Sequence, residues 1–161
     1  MSRTNITIVL AALALTSCVS EPSPNSSAPK PVVSLDAVLP PQSLLAEDTV
    51  IALAHDRNRS RLSYVGVWAT DGDKCAMMDQ TQFDGFAVIT PDSIRQSGGA
   101  CIFGQGDPGS DTVNLDASCG AKGKKTTKKN MTVQMLSGQS MRLADPSGSP
   151  GVTMVRCRLL Q

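Results

Sequence analysis

The stretch TVNLDASC, residues 112–119, has the clearest pattern in the chain. Its apolar residues occupy every second position, with polar residues between them; they are Val113, Leu115, Ala117 and Cys119. Successive side chains of a strand point to opposite faces of a sheet, so a period of two predicts a strand with one buried face and one hydrated face. We therefore expect this stretch to belong to an antiparallel sheet that packs on a core.

Strand-like segments lie on both sides of this stretch, separated by turn residues. They cover residues 63–70 (SYVGVWAT), 85–90 (GFAVIT), 93–103, 131–135, 139–144 and 152–159. Within residues 93–103, Gly98 and Gly99 predict a bulge or a sharp bend. Because edge strands need protection, the sheet is expected to close or fold on itself. The predicted fold class is all-β, a small antiparallel β-barrel or sandwich of about seven to eight strands, with Trp68 filling its interior rather than forming a ligand platform.

The segment before the strands predicts a helix that follows a proline-rich tether. Residues 42–61 carry acidic residues early and basic residues late, which suits the helix dipole. Residues 18–41 contain six prolines and cannot bury enough apolar area to offset the entropy cost of ordering. We therefore expect a disordered tether over 18–41, a helix over 42–61 and a disulfide-linked β-domain over 62–161.

The first residues have the features of a signal peptide. An apolar run at residues 6–15 is too short to span a bilayer as a helix, and Leu15-Thr16-Ser17-Cys18 follows it. That string resembles the bacterial lipobox. The resemblance implies cleavage after residue 17, attachment of diacylglycerol to the Cys18 thiol and acylation of the new N-terminus. It predicts a lipid-anchored protein of the bacterial outer membrane, because Val19 rather than Asp follows Cys18, and we expect the domain to face the periplasm.

The four cysteines that remain after Cys18 predict two disulfides. An even number of cysteines in an exported domain is typical of a disulfide framework, and four cysteines allow three pairings. The pairing we favour is Cys75–Cys101 with Cys119–Cys157, because each of these bonds joins the ends of candidate strands. No CxxC spacing occurs and the chain has one His, so redox and metal chemistry are disfavoured.

Composition excludes several classes of function. The formal net charge is +1, from 15 Lys+Arg and 14 Asp+Glu, and aromatic residues make up 3% of the chain. This balance argues against a nucleic-acid partner, since both a basic field and stacking platforms are missing. No nucleophile–base pair or metal set can be assembled from the sequence, so we expect a protein that is not an enzyme and uses no cofactor and no metal.

A lysine cluster is the sharpest charge feature of the sequence. It lies between two predicted strands and consists of Lys122, Lys124, Lys125, Lys128 and Lys129. We expect a long exposed hairpin loop here. Such a loop could bind an anionic surface or an acidic partner, whereas the simpler interpretation is a hydrated loop that also protects a sheet edge.

Three further motifs are interpreted as local structure. The GxGxxG match at residues 104–109 precedes a β-patterned segment rather than a helix, so it predicts a turn-rich loop. Asp71-Gly72-Asp73 predicts a turn, although these acids with Asp79 and Asp84 could bind a cation weakly. His55 is interpreted as a surface residue near the helix end.

Part of the chain resembles the Inh-type bacterial protease inhibitors. The resemblance rests on Gly66, Trp68, Cys75 and Cys101, and on residues 138–143 as a late strand. It implies an eight-stranded up-and-down barrel, with a segment before the barrel that enters a protease cleft. Our first hypothesis is therefore an envelope binding module that inhibits a protease or another hydrolase, through the segment preceding Trp68 or through an exposed loop. The alternative is a structural or assembly lipoprotein that docks an envelope partner or an anionic surface through the lysine cluster.

Overall fold

Eight antiparallel strands form a closed barrel in chain order. The structure is a computed structural model that describes residues 37–56, 62–106, 109–120, 125–144 and 150–160. The strands are β1 (Gly66–Ala69), β2 (Phe86–Ile89), β3 (Ser93–Gln96), β4 (Gly99–Phe103), β5 (Thr112–Gly120), β6 (Thr127–Ser137), β7 (Ser140–Ala144) and β8 (Val152–Arg156). The predicted all-β barrel is confirmed, at the upper end of the expected strand number.

The helix begins later than predicted. Helix α1 spans Glu47–Asp56, and residues 42–44 form a separate 3-10 turn. Leu45 is extended, with φ −90° and ψ 149°, so it interrupts the helical path before α1 begins. Residues 57–61 of the predicted helix lie outside the described residues. Within the described part of the chain, no helix has the length and apolar character needed to cross a membrane.

The predicted strand over residues 93–103 is two strands, β3 and β4. They pair antiparallel with Gln96 opposite Gly99, so residues 97–98 form a two-residue turn. Gly99 has a φ of +133°, which glycine adopts without the steric cost that a side chain would add. The Gly-Gly pair therefore reverses the chain instead of bending one strand.

Two apolar clusters lie on opposite sides of the strands β1 and β2. The first fills the barrel interior around Trp68, which is fully buried and whose Nε1–H donates to the carbonyl oxygen of Tyr64 at 3.0 Å. The predicted role of Trp68 as interior filling is confirmed. The second cluster lies outside the barrel, where Val67 and Val88 pack with Leu53 of α1. This outer cluster means that β1 and β2 are covered on both faces.

The disulfide pairing predicted from sequence is wrong. The bonds are Cys75–Cys157 and Cys101–Cys119, not Cys75–Cys101 and Cys119–Cys157. Cys101 and Cys119 are direct register partners on the neighbouring strands β4 and β5, so their side chains share one face of the sheet. Cys75 lies in a 3-10 turn at residues 73–77, beside the chain that leaves β8. The register of β4 against β5, which decides the pairing, cannot be obtained from cysteine spacing.

The chain enters the domain next to its own C-terminal segment. Val38 forms a parallel bridge with Arg158, in which the Leu39 N–H donates to the Arg158 carbonyl oxygen at 2.7 Å. The Arg158 N–H donates to the carbonyl oxygen of Ala37 at 2.9 Å. The entry segment and the segment after β8 therefore hold each other beside β1.

Candidate functional site

A groove of about 590 Å³ lies outside the barrel, between the start of α1 and the end of β3. Its volume is within the range of small-ligand and peptide pockets. It is lined by Ala46, Asp79, Gln80, Thr81, Gln82, Phe83, Asp84, Phe86, Arg95, Gln96 and Ser97. The segment 79–84 forms one wall, and the β3 residues and Ser97 form the other. Most of the polar side chains in it are neutral amides and hydroxyls.

Arg95 organises the inner wall of this groove. Its Nη2 donates to Asp79 Oδ1 at 2.7 Å and to Thr49 Oγ1 at 2.8 Å. Its Nε and Nη2 contact the two carboxylate oxygens of Asp48 at 2.5 and 3.1 Å, so this pair is bidentate. The guanidinium also lies 5.2 Å from the centre of the Phe86 ring. Arg95 thus joins α1, the segment 79–84 and the barrel at one point.

Asp79 is the buried member of this cluster. It has a φ of +62°, a conformation that non-glycine residues rarely adopt, and its side chain is 6% exposed. Its Oδ2 accepts hydrogen bonds from the Ala46 N–H at 2.9 Å and from Thr49 Oγ1 at 2.7 Å. A residue from a distant loop therefore supplies the acceptor at the start of α1 that a local cap would otherwise provide.

The charges of the cluster stabilise one another. Burial raises the pKa of Asp79, but the hydrogen bonds from Thr49 and Ala46 and the charge of Arg95 outweigh it, so the pKa falls below its ordinary value of 3.8. Burial lowers the pKa of Arg95, and its bonds to Asp48 and Asp79 outweigh that effect and raise it. The inner wall therefore presents charges that are already paired, and a ligand meets little unsatisfied charge there.

Among the described residues, the acidic side chains do not form the weak cation site that the sequence allows. Arg95 takes the position beside Asp79 that a cation would need, and Lys74 lies 3.4 Å from Asp71. Among the described residues, no group of three or more His, Cys, Asp or Glu side chains is placed to hold a metal ion.

A smaller cavity of about 240 Å³ opens at the same end of the barrel. Met131, Leu143 and Met154, which belong to the barrel core, form its floor, and Ala144, Gly151 and Val152 are among its other lining residues. The cavity shares Phe86, Gln96 and Ser97 with the groove. Consecutive residues of a strand face opposite ways, so Arg95 lies on the groove side and Gln96 on the barrel side. We call this cavity the barrel mouth.

The opposite end of the barrel is closed by Arg156 and by the residues before β1. The Arg156 guanidinium lies 4.0 Å from the Trp68 ring centre, forms an ion pair with Asp56, and donates to the carbonyl oxygens of Ser63 at 2.6 Å and Val65 at 2.9 Å. A Cβ atom at Gly66 would come within 2.7 Å of Arg156 Nη1, so glycine makes room for this arrangement.

The residues directly before β1 are packed into the barrel. Leu62, Tyr64 and Val65 are buried in the barrel core. The Tyr64 hydroxyl accepts a hydrogen bond from the Gly106 N–H at 3.1 Å, and burial raises the pKa of this hydroxyl. Gly106 belongs to the GxGxxG match, whose described residues form the connection between β4 and β5 rather than a nucleotide loop. The two predicted inhibitory elements, the segment preceding Trp68 and an exposed loop, both stay predictions.

The lysine cluster is divided between a loop and a strand. Lys125 is exposed before β6, whereas Lys128 and Lys129 belong to β6 and pair with Ser118 and Ala117. The expected long loop is shorter, because β6 begins at Thr127. Lys122 and Lys124 lie outside the described residues, as does Cys18. The β5–β6 connection lies at the same barrel end as the groove, because successive strands alternate in direction.

Sequence reasoning found neither the groove nor Arg95, which lines it and is paired with Asp48. Arg95 stands in a short strand next to buried Ile94, and nothing in the local pattern distinguishes it from an ordinary surface arginine. His55 is exposed at the end of α1, as expected. Comparisons of the chain with models of protein families, with curated proteins and with solved structures found no match. The resemblances to the lipobox and to Inh-type inhibitors stay predictions.

Proposed function

We propose that the protein is a non-enzymatic binding module of the bacterial envelope, anchored by lipid at Cys18, which holds a protein partner in the groove beside Arg95. The observation that carries the proposal is the built inner wall of this groove. A rigid ion-pair cluster holds α1, the segment 79–84 and β3 in fixed positions, and preorganised walls lower the entropy cost of binding. An extracytoplasmic hydrolase whose activity is blocked by this contact is the partner we favour.

The position of the groove supports this proposal. It lies at one barrel end together with the β1–β2, β5–β6 and β7–β8 connections, so a partner that docks there meets several loops at once. Loops on a rigid scaffold are common places for binding residues. Because Leu62, Tyr64 and Val65 are buried, our proposal uses the exposed loops at this end as the route to inhibition.

Inhibition assays with a matched pair of variants test the proposal. The full-length protein, purified in mild detergent with both disulfides intact, is titrated against serine, cysteine and metalloproteases and against muramidases. We expect stoichiometric inhibition of one class, weakened by Gln82→Trp in the groove and unchanged by Gln134→Trp. Gln134 is an exposed residue of β6 that does not line the groove.

A second readout covers partners outside the assay panel. A photo-crosslinking residue placed at Gln82 is expected to give a discrete crosslinked species in envelopes, one that excess purified protein competes away. The same residue placed at Gln134 is expected not to do so. Equal crosslinking from the two positions, together with no groove-dependent inhibition, contradicts the binding-module proposal.

The lysine cluster supports the alternative of docking on an anionic surface. Lys125 and Lys128 are exposed at the same barrel end. The test uses Cys18→Ser protein, which lacks the proposed lipid anchor. Replacing Lys122, Lys124, Lys125, Lys128 and Lys129 together with Gln in this protein is expected to abolish its binding to vesicles that contain anionic lipid, if that alternative holds, while groove-dependent inhibition persists. Equal binding of the Cys18→Ser protein to neutral and anionic vesicles would remove this alternative.

A further inference from the structure

We infer that the barrel mouth is a specificity pocket for one apolar side chain of an extended, uncharged segment of the partner. The inference rests on the proposed binding function of the groove and names the part of the partner that the groove holds. It is based on the observation that the polar groove and the apolar mouth adjoin each other at the end of β3.

The chemistry of the groove favours a polypeptide backbone. Gln82 and Gln96 offer amide donors and acceptors, and Thr81 and Ser97 offer hydroxyls. The Gln80 amide nitrogen donates to the Leu44 carbonyl oxygen at 2.8 Å, so this side chain offers mainly its amide oxygen. These groups match the N–H and C=O groups of a main chain, each of which needs a hydrogen-bond partner once it is removed from water. The charges of Arg95 and Asp79 are paired with each other and give no advantage to a charged ligand, and the exposed Asp84 adds one carboxylate to the wall formed by residues 79–84.

The size of the mouth favours a single side chain. At about 240 Å³ it is smaller than the 300–1,000 Å³ typical of pockets for whole small ligands. Its floor consists of Met131, Leu143 and Met154, and methionine side chains adapt to guests of different shape. A leucine, methionine or phenylalanine side chain of the partner suits such a pocket, whereas a sugar ring would bury hydroxyl groups against this apolar floor without partners.

The shared residues fix how the segment is placed. Phe86, Gln96 and Ser97 line both spaces, so a chain that runs along the groove passes the entrance of the mouth. Side chains of an extended segment alternate in direction, so one residue can enter the mouth while its neighbours face the groove and solvent. The recognition pattern is therefore one apolar anchor between uncharged residues.

Acetylated and amidated octapeptides test the inference directly. They are built from Ser, Gly and Asn with one variable position, and their affinity for the full-length protein is measured by fluorescence polarisation. We expect peptides with Leu, Met or Phe at that position to bind roughly tenfold to 100-fold more tightly than the Ser peptide, from burial of one apolar side chain. Asp and Lys peptides are expected to bind no better than Ser.

Variants locate the anchor in the mouth. Val152→Trp is expected to fill the cavity, because Val152 lines the mouth on the same strand face as Met154, and to remove the preference for an apolar residue while weak binding of the Ser peptide persists. Its site is already half exposed, so the folding of this variant does not depend on repacking the core. Ala54→Trp, on the exposed face of α1, is the control and is expected to keep the preference.

The outcomes separate this inference from the proposed function. If Gln82→Trp weakens partner or peptide binding but the affinity depends neither on the variable residue nor on Val152→Trp, the groove proposal stands and the mouth inference is wrong. If the mouth discriminates among soluble glycans or fatty acids instead of peptides, the assigned ligand class is wrong. If no peptide binds and crosslinking at Gln82 equals that at Gln134, both proposals fail.

Discussion

The β1–β2 and β5–β6 hairpins belong to one barrel but have opposite surroundings. Every residue of β1 and β2 is buried, because the barrel core covers one face and α1 with the outer cluster covers the other. Along β5, buried and exposed residues alternate up to Ala117, because solvent covers the outer face. We call these the covered side and the open side.

The difference shows where the tertiary structure is held together. The covered side carries the links between parts of the chain that are far apart in sequence, namely Arg95 with Asp48, Arg156 with Asp56, and Cys75 with Cys157. The open side carries Cys101–Cys119, which joins two neighbouring strands that the sheet already pairs. Substitutions that remove long-range links should therefore cost more stability than equivalent substitutions on the open side.

The largest difference is expected between the two disulfides. In the chain-entropy model, the Cys75–Cys157 loop of 82 residues contributes about 4.5 kcal/mol and the Cys101–Cys119 loop of 18 residues about 3 kcal/mol. We therefore expect Cys75→Ala with Cys157→Ala to lower the free energy of unfolding more than Cys101→Ala with Cys119→Ala. Urea unfolding followed by Trp68 fluorescence measures both. Equal losses would contradict the distinction between the two sides.

Arg156 provides the next comparison. Arg156→Met removes one partner of a buried ion pair and the donors to the Ser63 and Val65 carbonyl groups, which should cost about 3 kcal/mol or more. Arg142→Met changes an exposed arginine of β7 and should stay within about 0.5 kcal/mol of the original stability. The same urea titration measures both variants. A loss for Arg156→Met no larger than that for Arg142→Met would show that the buried pair does not stabilise the barrel end.

The open side was predictable from sequence because its pattern is local. The alternation of Val113, Leu115 and Ala117 predicts both a strand and the face of that strand that is buried. The structure confirms both predictions. On the covered side, β1 and β2 are buried on both faces, and a short apolar run does not tell which element covers it. The Cys75–Cys157 bond joins residues 82 positions apart, and α1 covers strands that follow it in the chain. No periodic pattern in the sequence encodes such contacts.

The candidate site was missed for the same physical reason. Asp79, Arg95 and Asp48 come from three segments, and the cluster exists only once α1 lies against the barrel. From the sequence, Asp79 is at most a weak cation ligand, since its neighbours in sequence include other acids. The sequence does not show that an arginine 16 positions later would occupy that place.

Asp79, which lies on the covered side, should make the free energy of unfolding depend on pH. Its pKa in the folded protein lies below 3.8, so its stabilising contribution is complete above the unfolded-state pKa and is lost as pH falls through the folded-state pKa. Asp79→Asn should lower the free energy of unfolding by about 2 kcal/mol at neutral pH, and this loss should shrink in acid. Urea unfolding of both proteins between neutral and acidic pH measures the two curves. Parallel curves would show that another group carries the acid sensitivity.

The smallest effect concerns the order in which the disulfides are reduced. Cys75 and Cys157 are fully buried, whereas Cys119 is partly exposed beside Cys101 on the open side. Thiol–disulfide exchange needs access of a thiolate to one sulfur, so a mild reductant should open Cys101–Cys119 first. Strand pairing between β4 and β5 holds these residues together in either state, and we therefore expect the folded barrel to survive this step. Alkylation followed by mass spectrometry identifies the first thiols released; release of Cys75 and Cys157 first would mean that the covered side opens more readily than its packing indicates.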